Sequence, residues 1–131
     1  MTRITVVLGL AVLLMASAYA QQNEPRFTGK SVVMEGKDLS VARRSFEAGA
    51  RTYWHSHANG QLFMVEDGRM RTQKKGGPMR ELGKGESDYA GPNVIHWHGA
   101  APAQPAIQIN VGFGGETKWL NEVSEAEYNG K

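Results

Sequence analysis

Residues 49–61 read Gly49-Ala50-Arg51-Thr52-Tyr53-Trp54-His55-Ser56-His57-Ala58-Asn59-Gly60-Gln61, and a second short cluster, His96-Trp97-His98, follows later in the chain. These two clusters hold all four histidines of the protein. Imidazole is the commonest side-chain metal ligand. In an extended strand, residues two apart point to the same face. His55 and His57 can therefore aim at one point, and so can His96 and His98. The spacing predicts one metal held by residues from different strands. Surface histidines paired by chance would rarely leave no histidine elsewhere.

Working outward, the chain reads as short strands separated by glycine turns. Strands are expected at 30–36, 39–46, 52–57, 61–66, 69–73, 79–82, 87–90, 94–98 and 104–113. Turn signals fall at Gly49, Asn59-Gly60, Asp67-Gly68, Gly76-Gly77-Pro78, Gly83, Gly85 and Gly91-Pro92. That density of strands and glycines predicts an all-β sandwich or barrel. Ser124 with Glu127 three residues on has the form of a capping box, so a short helix is expected at 124–129. The last strand alternates Ile107, Ile109 and Val111 with Gln108, Asn110 and Gly112. Either the apolar set is the core, or the polar set lines a cavity and the apolar set packs against a partner.

The chain has 131 residues, a length that suits one domain, and carries 15 Lys/Arg against 13 Asp/Glu. The basic residues are scattered, apart from Arg43-Arg44 and Lys74-Lys75, so a nucleic-acid partner is not expected. The absence of cysteine excludes disulfides. Arg3, the apolar run from Ile4 to Met15 and Ala18-Tyr19-Ala20 have the form of a cleaved signal peptide at 1–20, with Gln21 as the mature N-terminus. The expected domain is then 21–131, in the periplasm or secreted, with no membrane association after cleavage. The apolar run is shorter than the roughly 20 residues of a membrane span.

The spacing Gly49, His55-x-His57, Gln61, Gly68 resembles the first cupin motif, G-x5-H-x-H-x3-E-x6-G, with Gln61 in place of glutamate. Gly85, Gly91-x-Asn93-x2-His96 resembles the second, with Gly91 in place of proline and Asn93 in place of glycine. Asparagine tolerates the left-handed conformation that such a turn requires. The resemblance covers roughly residues 40 to 115. Residues Gly49 to His57, Gln61, the run His96-Trp97-His98-Gly99-Ala100-Ala101-Pro102, the Trp119 segment and Glu127-Tyr128 are similar to small single-domain bacterial cupins that include the manganese-dependent hydroxynitrile lyases. The resemblance implies a cupin jelly roll, a metal held by His55, His57, Gln61 and His96, and a homodimer or homotetramer.

The donor set has its own chemistry. Three imidazoles and an amide oxygen suit Mn²⁺, Fe²⁺, Ni²⁺ or Zn²⁺ rather than Ca²⁺ or Mg²⁺, which favour all-oxygen sites. The resemblance puts manganese first. Glutamine in place of glutamate leaves the site more positive, which strengthens polarisation of a bound oxygen. His98, facing the same way as His96, is the candidate general base or acid, while Trp97 should face away and pack. Gln108 belongs to the polar set of the last strand, at a position where the lyases carry histidine. Arg44 stands where they carry a small apolar residue. If the face it shares with Ala42 lines the cavity, Arg44 suits a carboxylate-bearing or enolate-forming substrate; otherwise it is an exposed arginine on an edge strand. Three functions are consistent with these residues: a lyase acting on a small carbonyl or hydroxy compound, a dioxygenase using O₂ at the same metal, or a metal-dependent binding protein without turnover.

Overall fold

The computed structural model describes Thr28 and residues 38–131; the expected signal peptide and the strand expected at 30–36 lie outside the described residues. Eight strands and one helix follow in order: β1 (Ser40–Phe46), β2 (His55–His57), β3 (Gln61–Lys74), β4 (Arg80–Gly83), β5 (Ser87–Ala90), β6 (His96–Ala100), β7 (Ala106–Gly112), β8 (Thr117–Trp119) and α1 (Glu125–Tyr128). All the pairings are antiparallel.

The fold turns on β3. Its first half pairs with β5 and β7, and its second half with β4 and β6. One strand thus belongs to two ladders, β1–β7–β3–β5 and β4–β3–β6–β2–β8, which curl over each other as a jelly roll. Asp67-Gly68 reads as a hairpin turn in sequence, yet the chain does not reverse there. The ladder to β7 slips by one residue between Val65 and Asp67 and continues through Gly68. Such a bulge bends and twists a strand without ending it, and here it carries β3 from one sheet to the other. The two strands expected at 61–66 and 69–73 are therefore one.

β8 is an addition to the sequence expectation. It has only three residues and no apolar alternation, and it forms by pairing with β2, opposite His55 and His57. The helix and its capping box are as expected: the Ser124 side chain accepts from the Glu127 backbone, and the Glu127 carboxylate accepts from the Ser124 N–H. Asn93 has φ 59°, the only non-glycine positive φ among the described residues.

Two apolar clusters flank the sheets. Phe46, Phe63, Val65, Met70, Leu82, Ala100 and Ala106 fill part of the interior. Trp54, Trp97, Val123 and Tyr128 form the second cluster, on the outer face of β6 beneath the C-terminal segment. Trp97 thus faces away from its histidine neighbours, as the alternation requires. The Tyr128 hydroxyl donates to the Ala100 carbonyl at 2.6 Å, tying α1 to β6.

Gly68 has φ 78°, and a Cβ there would run into the Pro105 carbonyl and the Ala106 backbone at the start of β7. Gly68→Ala combines an unfavourable backbone conformation with a backbone clash. We expect it to lower stability by about 1–3 kcal/mol or more, read as a fall in the chemical denaturation midpoint; an unchanged midpoint would show that the bulge does not need glycine.

Candidate metal centre

The two histidine clusters meet because β2 and β6 are neighbours. His55 and His96 are direct cross-strand partners, and their rings lie 4.3 Å apart between centroids. His57 follows on the same face of β2, 5.1 Å from His55 and 5.7 Å from His96. His98 follows on the same face of β6, stacked 5.9 Å from His96 and edge-on to His55 at 5.3 Å. Gln61, first residue of β3, is buried beside them. Five of the residues expected to converge therefore do so.

Local hydrogen bonds fix how the rings present themselves. His55 Nδ1 lies 2.9 Å from the Tyr53 carbonyl, and His96 Nδ1 lies 2.9 Å from the Val94 carbonyl. A carbonyl can only accept, so in both rings Nδ1 carries the hydrogen and Nε2 keeps a lone pair in the neutral form. The first histidine of each cluster is thus held by the residue two positions upstream. His57 Nδ1 is 2.9 Å from the Thr117 hydroxyl on β8, and its Nε2 is buried without a partner. Both ring nitrogens of His98 are buried without partners.

Burial keeps the cluster uncharged. It lowers His55 to about 4, with the charges that His96 and His57 could carry adding to the effect. Burial is also the main cause of the lowered values of His57 and His96. His98 is pushed well below the usual histidine range by burial, then by His55, His96, His57 and Arg44.

His96 Nε2 faces Gln61 Oε1 at 3.2 Å. With Nδ1 committed to Val94, both facing atoms carry lone pairs, an arrangement that a cation relieves. Two ligands at roughly 2.1 Å from an ion in adjacent octahedral positions lie about 3 Å apart, so the pair fits a shared metal. Gln61 also lies within hydrogen-bonding reach of His57 and His55, where it acts to raise both against the effect of burial. His55, His96 and His98, however, each offer a ring nitrogen within 4.8 Å of the other two. Every candidate donor borders one space, and two ligand sets share His55 and His96.

The other expected residues occupy the β1–β7 wall. Gln108 is 1% exposed, with Oε1 buried and unpartnered. It faces the interior while Ile107, Ile109 and Val111 are only half-buried, which favours the reading in which the face of β7 that carries Gln108 is turned inward. Arg44 is the cross-strand partner of Gln108. Arg44 is exposed, and its charge adds to the lowering of His98. Arg43 points the other way, to Glu66, at 2.6 and 2.7 Å.

Further residues on β3, β4, β5 and β8 were not singled out by the spacing. Asp88 Oδ1 accepts from Lys74 at 3.0 Å and from Arg80 at 3.1 Å. The Thr72 hydroxyl donates to the Trp97 carbonyl at 2.9 Å and lies 3.3 Å from Asp88 Oδ2. Trp119 on β8 lies against His55 with a centroid separation of 4.8 Å. Of these, only the Trp119 segment had any signal in the sequence.

The model of the cupin domain matches residues 42–112. The chain is a cupin. A curated relative, the (R)-mandelonitrile lyase of Granulicella tundricola, is 38% identical over 93 residues, covering 69% of this chain and 71% of that one. A cupin-like protein of Thermotoga maritima, solved by crystallography, is 42% identical with a TM-score of 0.67, over 70% of this cupin and 71% of its own chain. The DMSP lyase DddQ of Ruegeria pomeroyi shares the fold at 18% identity and a TM-score of 0.58, over 67% of this chain and 46% of that one. The protein is therefore a small cupin resembling the hydroxynitrile lyases, with a three-histidine cluster suited to a divalent metal.

The lowered histidines give metal-free protein a definite pH response. Unfolded histidine takes up a proton near pH 6.5, whereas folded His55 resists until about 4. Below 6.5 the unfolded state binds more protons, so stability falls as pH falls through this window. Chelated protein should denature at lower urea at pH 5 than at pH 7, and a flat profile would show that the imidazoles are not held neutral.

Proposed function

We propose that this cupin is an exported metal-dependent enzyme of lyase type acting on a small hydroxy or carbonyl compound. In this reading His55, His57, Gln61 and His96 hold the ion, and His98 moves the proton. The observation that carries it is the facing pair of lone pairs on His96 Nε2 and Gln61 Oε1 at 3.2 Å. Gln61 is near three imidazoles, His55, His57 and His96, which favours His57 over His98 as the third nitrogen. Mn²⁺ is the ion proposed, with Fe²⁺, Ni²⁺ and Zn²⁺ compatible with the same donors. When bound, it supplies a positive centre that polarises a ligand oxygen.

The remaining chemistry belongs to the chain. Neutral His98 has one N–H and one lone pair, neither engaged by the protein. It can take the proton of a substrate hydroxyl and return it to a leaving group. The ring of Phe63 at 4.9 Å and the edge-on ring of Phe46 at 6.1 Å flank it, so its charged form is costly until negative charge develops on the substrate beside it. The similarity to a mandelonitrile lyase supports lyase chemistry and makes cyanohydrins, with 2-hydroxy acids and β-diketones, the first compounds to try.

His57→Ala should release most bound metal. His98→Ala should keep it and reduce turnover of the best substrate in that panel by a factor of about 10²–10⁴. Elemental analysis and steady-state kinetics on the same samples decide it. Loss of metal in His98→Ala with retention in His57→Ala would reassign the ligand role to His98, and absence of turnover across the panel would favour a binding protein.

Export and self-association complete the proposal. The apolar outer face of β1–β7–β3 places Val41 opposite Val111 and Met64 opposite Ile109, with Val41 70% exposed, and a second copy would cover it. Native mass spectrometry of periplasmic material should find a homodimer or homotetramer of chains beginning at Gln21. Monomers, or chains retaining residues 1–20 in the membrane fraction, would overturn these two points.

A further inference from the structure

The β1–β7 wall carries two polar groups for which neither the ligand set nor the proton transfer has a use. Arg44 and Gln108 are direct partners in the ladder, so their side chains leave it on the same side. Gln108 is buried inside the sandwich, which makes that side the interior. Arg44, exposed on that same face, therefore stands at the open edge of the interior. Among the described residues it makes no hydrogen bond or ion pair, in contrast to Arg43 on the opposite face, which is held by Glu66 at both carboxylate oxygens. Deeper on the same wall, Gln108 Oε1 is a buried acceptor without a donor. A buried polar atom left so is costly unless something supplies its hydrogen bond.

These two observations ask different things of one ligand. The guanidinium asks for an anion with planar, bidentate acceptors, and the amide oxygen asks for a hydroxyl or N–H one step further in. We propose that Arg44 and Gln108 select a 2-hydroxy carboxylate, its carboxylate on Arg44 and its hydroxyl turned inward towards Gln108 and His98. The proposal deepens the reading of this cavity as a metal-dependent substrate site and rests on it. A phosphate dianion would find one unpaired guanidinium on this wall, since Lys74 and Arg80 both hydrogen-bond Asp88. A neutral hydroxy compound would meet the amide but leave the guanidinium without a partner.

The test is calorimetric binding of lactate and of its neutral amide, lactamide, to full-length protein loaded with manganese, with metal content measured in every sample. Wild type should bind lactate at least tenfold more tightly than lactamide. Arg44→Met keeps the aliphatic stem and removes the charge. It should weaken lactate roughly ten- to a hundredfold, as expected for loss of a charged hydrogen bond, and leave lactamide and metal content unchanged. Arg44→Lys should fall between, because the charge remains while the fork is lost. Equal affinity for the two probes in wild type, or lactate affinity indifferent to Arg44→Met at full metal occupancy, overturns the proposal while leaving the metal site standing. Failure of the wild-type protein to take up manganese overturns both.

Discussion

Four imidazoles around one small space inside a β-sandwich must all be neutral, and much of the surrounding structure follows from that. A charge on any one would be disfavoured by burial, and on His55, His96 and His98 by neighbouring histidines as well. A neutral ring has one donor and one acceptor, and a buried donor needs a partner. β2 and β6 solve this in the same way, by offering His55 and His96 the carbonyl two residues upstream. His57 lies at the end of β2 and finds the Thr117 hydroxyl, which only the pairing with β8 brings within reach. With the donors of His55 and His96 occupied on the outside, their acceptors point inward at one another and at Gln61. The outward satisfaction of donors and the inward convergence of lone pairs are one design, and it suits a cation at the centre.

The legibility of this arrangement in the sequence follows the range of the interactions. Same-face placement of His55 with His57, and of His96 with His98, depends only on the two-residue period of a strand. So does the outward turn of Trp97 into the cluster with Trp54, Val123 and Tyr128. Asn93 in the left-handed region and the Ser124–Glu127 box are likewise local. β3 misleads because an Asp-Gly pair serves both a hairpin and a bulge, and the choice rests on the distant strand β7 that pairs through it. β8 has no pattern of its own. Asp88 with Lys74 and Arg80 is assembled from three strands, and no spacing rule links them. Which of His57 and His98 stands closer to His55 and His96 is set by the twist between β2 and β6, beyond the reach of alternation alone.

The two walls of the cavity differ in a way that bears on what it can hold. On one side, Lys74 and Arg80 share the single carboxylate of Asp88, whose influence on His96 is opposed by that of Lys74. That group keeps a net charge of +1, with both cations hydrogen-bonded. On the other, Arg44 has no counter-charge among the described residues, and Gln108 contributes a dipole but no charge. Gln61 supplies oxygen without the negative charge that glutamate would bring. A divalent ion held by these donors would keep its full charge and share the cavity with a guanidinium. Electrostatic attraction in a partly water-excluded site is far stronger than in bulk water, so the arrangement is complementary to an anion or to a ligand that becomes one. The single replacement of glutamate by glutamine and the single arginine on β1 act in the same direction. Both add positive character to the site, which favours ligands on which negative charge rests or develops.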